Sequence, residues 1–467
     1  MGRGESPRSG AVAVVVGAGT AGLNAALQLA RRGLDVTVVE SRRLGEGGAR
    51  WDNAVLPWQY TRAGIAAPDS DEVHDTDGHS LLFGPGDVGP VTVDAPTVHA
   101  DMRRLNDRLV VLCRKEGVAF LDRARDLAPT LVDGRVRSLT LTAAVASGDG
   151  ERGGDEAARV HLEAALFVDA SGRRGVLRSQ VPELAAWCPS VGRELLCTAA
   201  QHSFEIADPD GARRFLDAHG AVPGDTISKV GLDGGFSALA VDVRSGLDEV
   251  GILTGTIASG EWGTARTILE RFLAAQPWVG AVRYGGDGLI PLRRPYARLG
   301  AGGVALVGDA ACQVFPAHGS GIGVGMIAGT VLAEQVGACL DPGSTAALWS
   351  YQHAYHRELG GTLAAYDTFR RCSSAIGSDG IRRMIVSGLF TPEMAAGGLD
   401  QRWRSLAFSE MLAALRAYRR DPGLAALMSP WLARCVAAER LGAVSPEEVD
   451  PVALRRWDRR LARVVGG

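Results

Sequence analysis

Glycines near the start of the chain stand at the spacing that a bound dinucleotide requires. They lie in the segment Gly17-Ala-Gly-Thr-Ala-Gly22, which follows the apolar run Val12 to Val16 and opens an amphipathic stretch. A strand therefore turns into a helix at this point, which is the context that the motif needs. Gly17 permits the tight turn, Gly19 lets the backbone approach a pyrophosphate, and Gly22 lets the helix pack on the strand. The predicted phosphate-binding residues are Gly17, Gly19, Thr20, Ala21 and Gly22.

A carboxylate follows the glycines at the distance expected for a ribose-binding residue. The predicted strand Asp35 to Val39 ends in Glu40, about 20 residues further along the chain. A carboxylate at this place can accept hydrogen bonds from both hydroxyls of an adenosine ribose. Its negative charge favours FAD or NAD over NADP. We expect Ser41 and Arg42, which follow directly, to contribute to the same site.

A second glycine-rich segment lies past the middle of the chain, from Gly308 to Gly321. It follows a short apolar strand predicted at 302–307, which places Asp309 where it can bind the hydroxyls of a polyol chain. Pro316 bends the backbone, and the glycines beyond it let the chain pass closely over a flat ligand. A helix predicted from about Met326 would point its N-terminus at a flavin and stabilise the reduced ring. The predicted flavin-side residues are Gly308, Asp309, Pro316, Gly319, Gly321 and Ile322.

A third motif, Val168-Asp-Ala-Ser-Gly-Arg-Arg-Gly-Val-Leu-Arg178, stands between the two glycine segments. With the three motifs in this order, residues 11–335 resemble the FAD-dependent superfamily of p-hydroxybenzoate hydroxylase-like monooxygenases, geranylgeranyl reductases and flavin-dependent halogenases. The resemblance implies that Ala170 and Gly172 lie beside the cofactor pyrophosphate. It also implies an arginine near the pyrophosphate in the helix predicted at 95–117. Alignment of the apolar positions puts Met102 at that place and Arg103 one residue away, and Arg103 is our candidate.

Details of the motifs separate the branches of this superfamily. Ser171 stands where aromatic hydroxylases have Asp, Cys312 where they have His, and Gly323 where they have Asn. The pairs Gly321-Ile322 and Gly325-Met326 look closer to geranylgeranyl reductases, although the Tyr-x-Trp with Phe-Pro signature of that branch is missing. The Trp-x-Trp-x-Ile-Pro element of halogenases is missing too.

These patterns predict an FAD-dependent oxidoreductase that acts on a mostly apolar small molecule. We expect a monooxygenase, by hydroxylation or epoxidation, because the superfamily most often does this. A geranylgeranyl-reductase-like reductase of C=C bonds is the main alternative, ahead of a halogenase or a non-redox isomerase or cyclase. NAD(P)H, directly or through a partner flavin reductase, would supply electrons. The chain has no second strand-associated GxGxxG motif, which does not decide between these two sources.

Two residues are candidates for the chemistry itself. His318, between Pro316 and Gly319, would lie at the flavin edge, where it could donate a proton or hold a substrate oxygen. The alternative is a loop histidine that bonds only to backbone. Arg50 follows Gly45-Glu-Gly-Gly48 in the segment that often runs beside the flavin ring, and its alternative is a solvent-facing side chain.

Composition excludes several other classes of protein. A net charge of -3 and a pI near 6.3 argue against a nucleic-acid partner. The chain has no apolar run of about 18 residues, which argues against a transmembrane segment. The first ten residues are polar, and seven scattered cysteines without a CxxC pair favour a reducing compartment, so we expect a cytoplasmic protein. Metal-ligand spacing is absent, and the oligomeric state is not indicated.

The order of predicted elements gives an α/β fold. We expect a Rossmann-like FAD-binding domain formed by residues 11–50, 95–176 and 290–340. An inserted antiparallel β substrate-binding domain would comprise residues 51–94 and 177–289. Residues 341–467 would form a helical C-terminal region, in which an apolar stripe of Leu454, Trp457 and Leu461 docks the last helix on the protein.

Overall fold

The computed structural model describes residues 12–73, 78–94, 98–145, 156–259, 263–404 and 408–466. The polar first ten residues lie outside these ranges. The strands are β1 Val12–Val16, β2 Asp35–Val39, β3 Asp52–Val55, β4 Ser80–Gly84, β5 Val88–Val93, β6 Val98–Asp101, β7 Ala119–Leu121, β8 Arg125–Val132, β9 Arg135–Val145, β10 Glu156–Glu163, β11 Leu166–Asp169, β12 Leu196–Ile206, β13 Thr226–Val230, β14 Ser237–Val243, β15 Glu249–Ile257, β16 Val279–Pro291, β17 Gly300–Ala301 and β18 Val304–Leu306. The helices are α1 Thr20–Ala30, α2 Pro57–Arg62, α3 Met102–Lys115, α4 Pro182–Trp187, α5 Pro209–Ala218, α6 Ala265–Ala275, α7 Ile322–Val336, α8 Thr345–Tyr355, α9 Gly361–Ser387, α10 Pro392–Leu399, α11 Phe408–Arg420, α12 Pro422–Gly442 and α13 Pro451–Val465.

The first sheet is Rossmann-like and has the strand order β17-β18-β11-β1-β2-β7. Its neighbouring strands run parallel, apart from the short β17 at the edge. Strand β1 is a continuous apolar run because a parallel sheet is covered by helices on both faces. The carboxyl ends of β1, β2, β11 and β18 therefore meet along one edge, where the predicted cofactor residues follow each strand.

The second sheet has the order β16-β12-β15-β14-β13-β4-β5 and is antiparallel except where β13 pairs with β4. Helices α5 and α6 pack on it around Phe215, Ile268 and Leu269, forming a core separate from that of the first sheet. The chain beyond residue 341 is helical. In α13, Leu454, Trp457 and Leu461 are buried against the protein, as predicted. The predicted α/β fold class, with its Rossmann-like sheet and helical C-terminal region, is confirmed.

Two predicted elements differ from those observed. The helix expected at 95–117 begins at Met102, because Val98–Asp101 pairs as strand β6 with β3 and Asp101 caps the helix by accepting a hydrogen bond from Arg103 N. Positions 95–97 lie outside the described residues. The helix expected near Met326 begins one turn earlier, at Ile322. Within the described ranges, no helix is both long enough and apolar enough to cross a bilayer.

Helices α1 and α7 pack together through residues without bulky side chains. A Cβ atom on Gly329 would lie 2.7 Å from Ala25 N and 2.8 Å from Ala25 Cα, which is too close for any side chain. Asn24 of α1 is fully buried at the same contact and donates its amide to Met326 O at 2.7 Å and to Thr330 Oγ1 at 3.0 Å. The backbones of the two helices are therefore held at close range.

This contact predicts that Gly329→Ala lowers the free energy of unfolding by about 1–3 kcal/mol, because the added methyl group meets backbone that cannot rotate away. The matched control is Gly398→Ala in α10, where a Cβ would meet no atom within 4 Å. We expect this control to leave stability unchanged or to raise it by up to about 1 kcal/mol. Urea denaturation compares the two variants, and equal midpoints would contradict the packing described.

Candidate functional site

The two glycine segments that the sequence assigned to one site lie in contact. A Cβ on Gly308 would be 3.0 Å from Ala21 Cβ, and a Cβ on Gly325 would be 3.1 Å from the same atom. Ala21 belongs to the first turn of α1, Gly308 follows β18, and Gly325 belongs to the first turn of α7. The starts of both helices and the end of β18 therefore share one small region.

Glycine is required by the protein itself at two positions of the first segment. Gly17 has φ +111°, and a Cβ there would lie 2.3 Å from Ala170 O. A Cβ on Gly22 would lie 2.1 Å from Gly17 O. A Cβ on Gly19, by contrast, would meet only the backbone of Gly48, at an ordinary 3.5 Å from Cα and 3.8 Å from N. Protein packing does not explain Gly19, and a closely approaching ligand does, which fits the pyrophosphate of FAD.

Helices α1 and α7 differ from most other helices in how they begin. Their N-cap residues, Gly19 and Gly321, offer no side-chain cap to the first-turn amides. Helices with a side-chain cap from Asp, Ser or Thr are α3, α5, α6, α8, α10, α12 and α13. The amides of Thr20 and Ile322, the first residues of α1 and α7, therefore have no side-chain cap and could bind an anion or a polar ring edge.

Glu40 is buried at the end of β2 and is held by its neighbours. Its Oε2 accepts a hydrogen bond from Ala18 N at 2.7 Å, and its Oε1 accepts from Arg42 N at 2.9 Å and from Ser41 Oγ at 3.1 Å. The carboxylate is thus fixed beside the first glycine segment. Ser41 and Arg42 act here by orienting Glu40, while the exposed Arg42 guanidinium donates to Glu46 O.

The third motif folds around Asp169, which is fully buried at the end of β11. Its carboxylate accepts hydrogen bonds from Ser171 Oγ at 2.5 Å, Leu177 N at 2.8 Å and Arg178 N at 2.7 Å. Ser171, which replaces the Asp of aromatic hydroxylases, is therefore used to form the turn. Arg178 donates from Nη1 to Ala310 O at 2.6 Å and ties this turn to the one after β18. Ala170 and Gly172 lie in the turn so formed, the former packed against Gly17.

Asp309 lies in the turn after β18 with its carboxylate turned toward Gly321, where a Cβ would be 3.3 Å from Asp309 Oδ1. Burial raises the pKa of this carboxyl to about 6, and the nearby Arg173 guanidinium acts against that rise. Within the described chain, no group donates a hydrogen bond to the Asp309 carboxylate. A costly, unpaired carboxylate of this kind fits the hydroxyls of a ribityl chain.

The turn that carries Asp309 is held by a buried network that the sequence analysis missed. Gln313 accepts from Gly308 N at 2.7 Å and donates to Tyr351 Oη at 2.9 Å, and Tyr351 donates to Leu306 O at 2.8 Å. Cys312, beside it, adopts φ +56° and is completely buried, so burial raises the pKa of its thiol. Cys312 therefore contributes to the packing of this turn.

Arg103 is engaged elsewhere than the sequence analysis expected. Its guanidinium donates to the Asp101 carboxylate at 2.7 and 3.0 Å and lies 3.8 Å from the centre of the Tyr284 ring in β16. The side chain of α3 that reaches the glycine segment is Asn106, which donates to Ala18 O at 3.3 Å and Gly47 O at 3.2 Å. A single amide on the apolar face of α3 was the available signal for Asn106.

The two candidate catalytic residues occupy different surroundings. His318 has an exposed side chain, and desolvation by the surrounding protein lowers its pKa to about 4. Its ring lies 4.8 Å from that of Phe315 and near the backbone of Gly398 in α10. Arg50 is exposed and donates to Gly45 O at 3.1 Å.

Two further predicted cofactor residues lie close to His318 in the chain. Pro316 is buried, and Gly319, with φ +79°, packs on Ile290.

The first turn of α7 is covered by a residue that the sequence did not single out. Gln59 of α2 is fully buried, and a Cβ on Gly323 would lie 2.0 Å from Gln59 Oε1. Gln59 also accepts from Leu56 N at 3.2 Å and donates to Gln401 Oε1 at 2.9 Å. The space that the Asn of aromatic hydroxylases would take is therefore filled by Gln59. Among the described residues, no three His, Cys, Asp or Glu side chains converge as metal ligands.

Comparison with known proteins agrees with this geometry. A family model described as FAD dependent oxidoreductase matches residues 13–75, which hold the first glycine segment and Glu40. A digeranylgeranylglycerophospholipid reductase from Sulfolobus acidocaldarius is 24% identical over 384 residues, covering 79% of this chain and 78% of the relative.

Solved structures share the fold over most of the chain. A geranylgeranyl bacteriochlorophyll reductase-like protein from Thermoplasma acidophilum has a TM-score of 0.69 at 16% identity and covers 90% of this chain and 99% of its own. PqsL, a probable FAD-dependent monooxygenase from Pseudomonas aeruginosa, has a TM-score of 0.54 at 17% identity and covers 84% and 99%. Residues 13–75 thus match the FAD dependent oxidoreductase model, and the chain as a whole has the fold of these two structures, as the resemblance of its three motifs predicts.

Proposed function

We propose that this protein uses FAD to reduce carbon–carbon double bonds in a long apolar substrate of isoprenoid type. The observation that carries the proposal is the start of α7, where the buried Gln59 side chain occupies the space that a side chain at position 323 would take. The relatives named digeranylgeranylglycerophospholipid reductase support it, as does the higher TM-score of the reductase-like structure. These findings favour reduction, whereas the sequence alone led us to expect oxygenation, with reduction as the main alternative.

The residues of the site would hold FAD along its whole length. The open amides at the start of α1 would bind the pyrophosphate, Glu40 the adenosine ribose, and Asp309 the ribityl hydroxyls. The open amides at the start of α7 would stabilise negative charge at the edge of the reduced ring. When bound, reduced FAD supplies the hydride that the reduction of a double bond needs.

His318 would contribute to this site as a neutral group. A pKa of about 4 means that its imidazole carries no positive charge near pH 7. A neutral imidazole is a weak acid, so we assign His318 to hydrogen bonding of a substrate oxygen and not to proton donation. His318 lies beside Phe315 and α10, where the C-terminal helices meet the segment from Gly308 to Gly321.

Monooxygenation remains the second candidate, because PqsL shares the fold over 84% of this chain. Either reaction needs an electron source, for which we propose NAD(P)H, directly or through a partner flavin reductase.

Oxygen dependence separates the two candidates. With FAD reduced by dithionite and a digeranylgeranylglycerophospholipid as substrate, we expect turnover to continue without oxygen, because hydride transfer does not consume it. Mass spectrometry should show two hydrogen atoms gained for each double bond reduced. Heat-treated enzyme is the control. Product that forms only in air and carries an added oxygen atom would refute the reductase proposal.

Asp309→Asn should weaken FAD binding about ten- to hundredfold, because charged acceptors make stronger hydrogen bonds than neutral ones. The same change should stabilise the FAD-free protein at pH 8. A buried carboxylate with a raised pKa costs stability above about pH 6, and the cost fades as pH falls toward the unfolded value near 4.

Fluorescence titration with FAD and urea denaturation at pH 8 and pH 4 measure these two effects. Asp210→Asn, at an exposed carboxylate of α5, is the control and should change neither. Unchanged FAD affinity in Asp309→Asn would remove Asp309 from the site.

His318→Ala should raise KM several-fold and leave FAD content unchanged, whereas His318→Gln should restore most of the binding because it keeps a hydrogen-bonding group. Between about pH 5 and 8 the kcat profile of the natural protein should show no inflection from His318, since its imidazole stays neutral there. An inflection near neutral pH that disappears in His318→Gln would instead identify a titrating acid.

A further inference from the structure

A cavity of about 390 Å³ opens between the second sheet and the turn of the third motif. Its wall is formed by β12, β16, the start of α6 and the segment after Asp169. The lining residues that matter here are Arg173, Thr198, Thr264, Ala265, Arg266 and Asp287. The glycine segments do not line it, so it is distinct from the pyrophosphate site described above.

The charges in this cavity do not cancel. Arg266 donates from Nε to Asp287 Oδ2 at 3.0 Å, and these two side chains neutralise each other. Arg173 is exposed and forms no salt bridge or side-chain hydrogen bond with any described residue. His202 lies near Asp287, and burial keeps its pKa low, so it adds no charge near pH 7. Of the described charged residues that line the cavity, Arg173 is therefore the one without an ion pair, and the opposing charge that acts on it is Asp309, which does not line the cavity.

The groups at the start of α6 that line this cavity already form hydrogen bonds within the protein. Ala265 N already donates to Thr198 Oγ1 at 2.9 Å, and Thr264 Oγ1 already caps Thr267 N at 3.3 Å. Asp287 Oδ1, in contrast, accepts no hydrogen bond from the described chain, since Arg266 uses only Oδ2. Among the described residues, the cavity thus offers the Arg173 guanidinium and Asp287 Oδ1 as groups without a bonded partner.

We propose that this cavity binds a phosphorylated polyol, with Arg173 on the phosphate and Asp287 Oδ1 accepting a hydrogen bond from a neighbouring hydroxyl. A guanidinium suits phosphate oxygens by charge and by geometry, and a lone acceptor beside it suits a hydroxyl-bearing carbon. Ribose phosphate of a nicotinamide dinucleotide and a phosphoglycerol head group share this chemistry. The Arg173 guanidinium also acts on the Asp309 carboxyl, where it opposes the rise in pKa that burial causes. The cavity therefore lies next to the turn after β18.

Calorimetric titration of the FAD-loaded full-length protein tests the proposal with two probes, NADP⁺ and glycerol 1-phosphate. We expect saturable binding of at least one of them and a loss of about ten- to hundredfold in Arg173→Ala, as expected for a charge-assisted contact. Arg174→Ala is the matched control, because Arg174 is the adjacent exposed arginine and does not line the cavity. FAD content should be the same in both variants.

Each result decides the matter. Preference for NADP⁺ supports the proposal and identifies the electron donor as the source of the phosphate, whereas preference for glycerol 1-phosphate supports it and identifies a substrate head group. Absence of binding by either probe, or equal losses in the two variants, would overturn it. A parallel loss of FAD from Arg173→Ala would also overturn it, since the cavity would then belong to the flavin. None of these readouts depends on which reaction is catalysed.

Discussion

The close packing of α1 on α7 is the constraint on which the rest of the structure depends. Ala21 meets both Gly308 and Gly325, and one turn further along the helices Ala25 meets Gly329. Two helices can approach in this way only if their facing residues are small, and the buried Asn24 then holds α7 through its backbone. This one contact brings together two helix starts, both without side-chain caps, that lie three hundred residues apart in the chain.

A second layer of buried polar groups fixes the strand ends around that contact. Asp169 accepts a hydrogen bond from the Arg178 amide of the third motif, and the Arg178 guanidinium donates to Ala310 O in the turn after β18. Gln313 donates to Tyr351 Oη and so holds that turn in place. Each of these groups is satisfied within the protein, so their cost of burial is offset. Among the described residues, none donates a hydrogen bond to the Asp309 carboxylate, as the proposed contact with a ligand requires.

Local signals in the sequence were sufficient for much of this arrangement. Glycine spacing, Glu40 after β2 and the apolar strands depend on neighbours in the chain, and they predicted the Rossmann-like sheet and the contact of the two segments. Gln59 and Asn106 were missed because their roles depend on partners distant in sequence. Arg103 was assigned by likeness to a superfamily, and its ion pair with Asp101 and its contact with Tyr284 depend on strand β6, which alternation alone did not reveal.

The packing of Gln59 on Gly323 couples two positions that are distant in the chain. A side chain at 323 would have to displace the end of the Gln59 side chain, and a smaller residue at 59 alone would leave a space beside the first turn of α7 and remove the hydrogen bond to Gln401. The stability effects of substitutions at the two positions should therefore not be additive, so the double variant should be more stable than the sum of the two single changes implies.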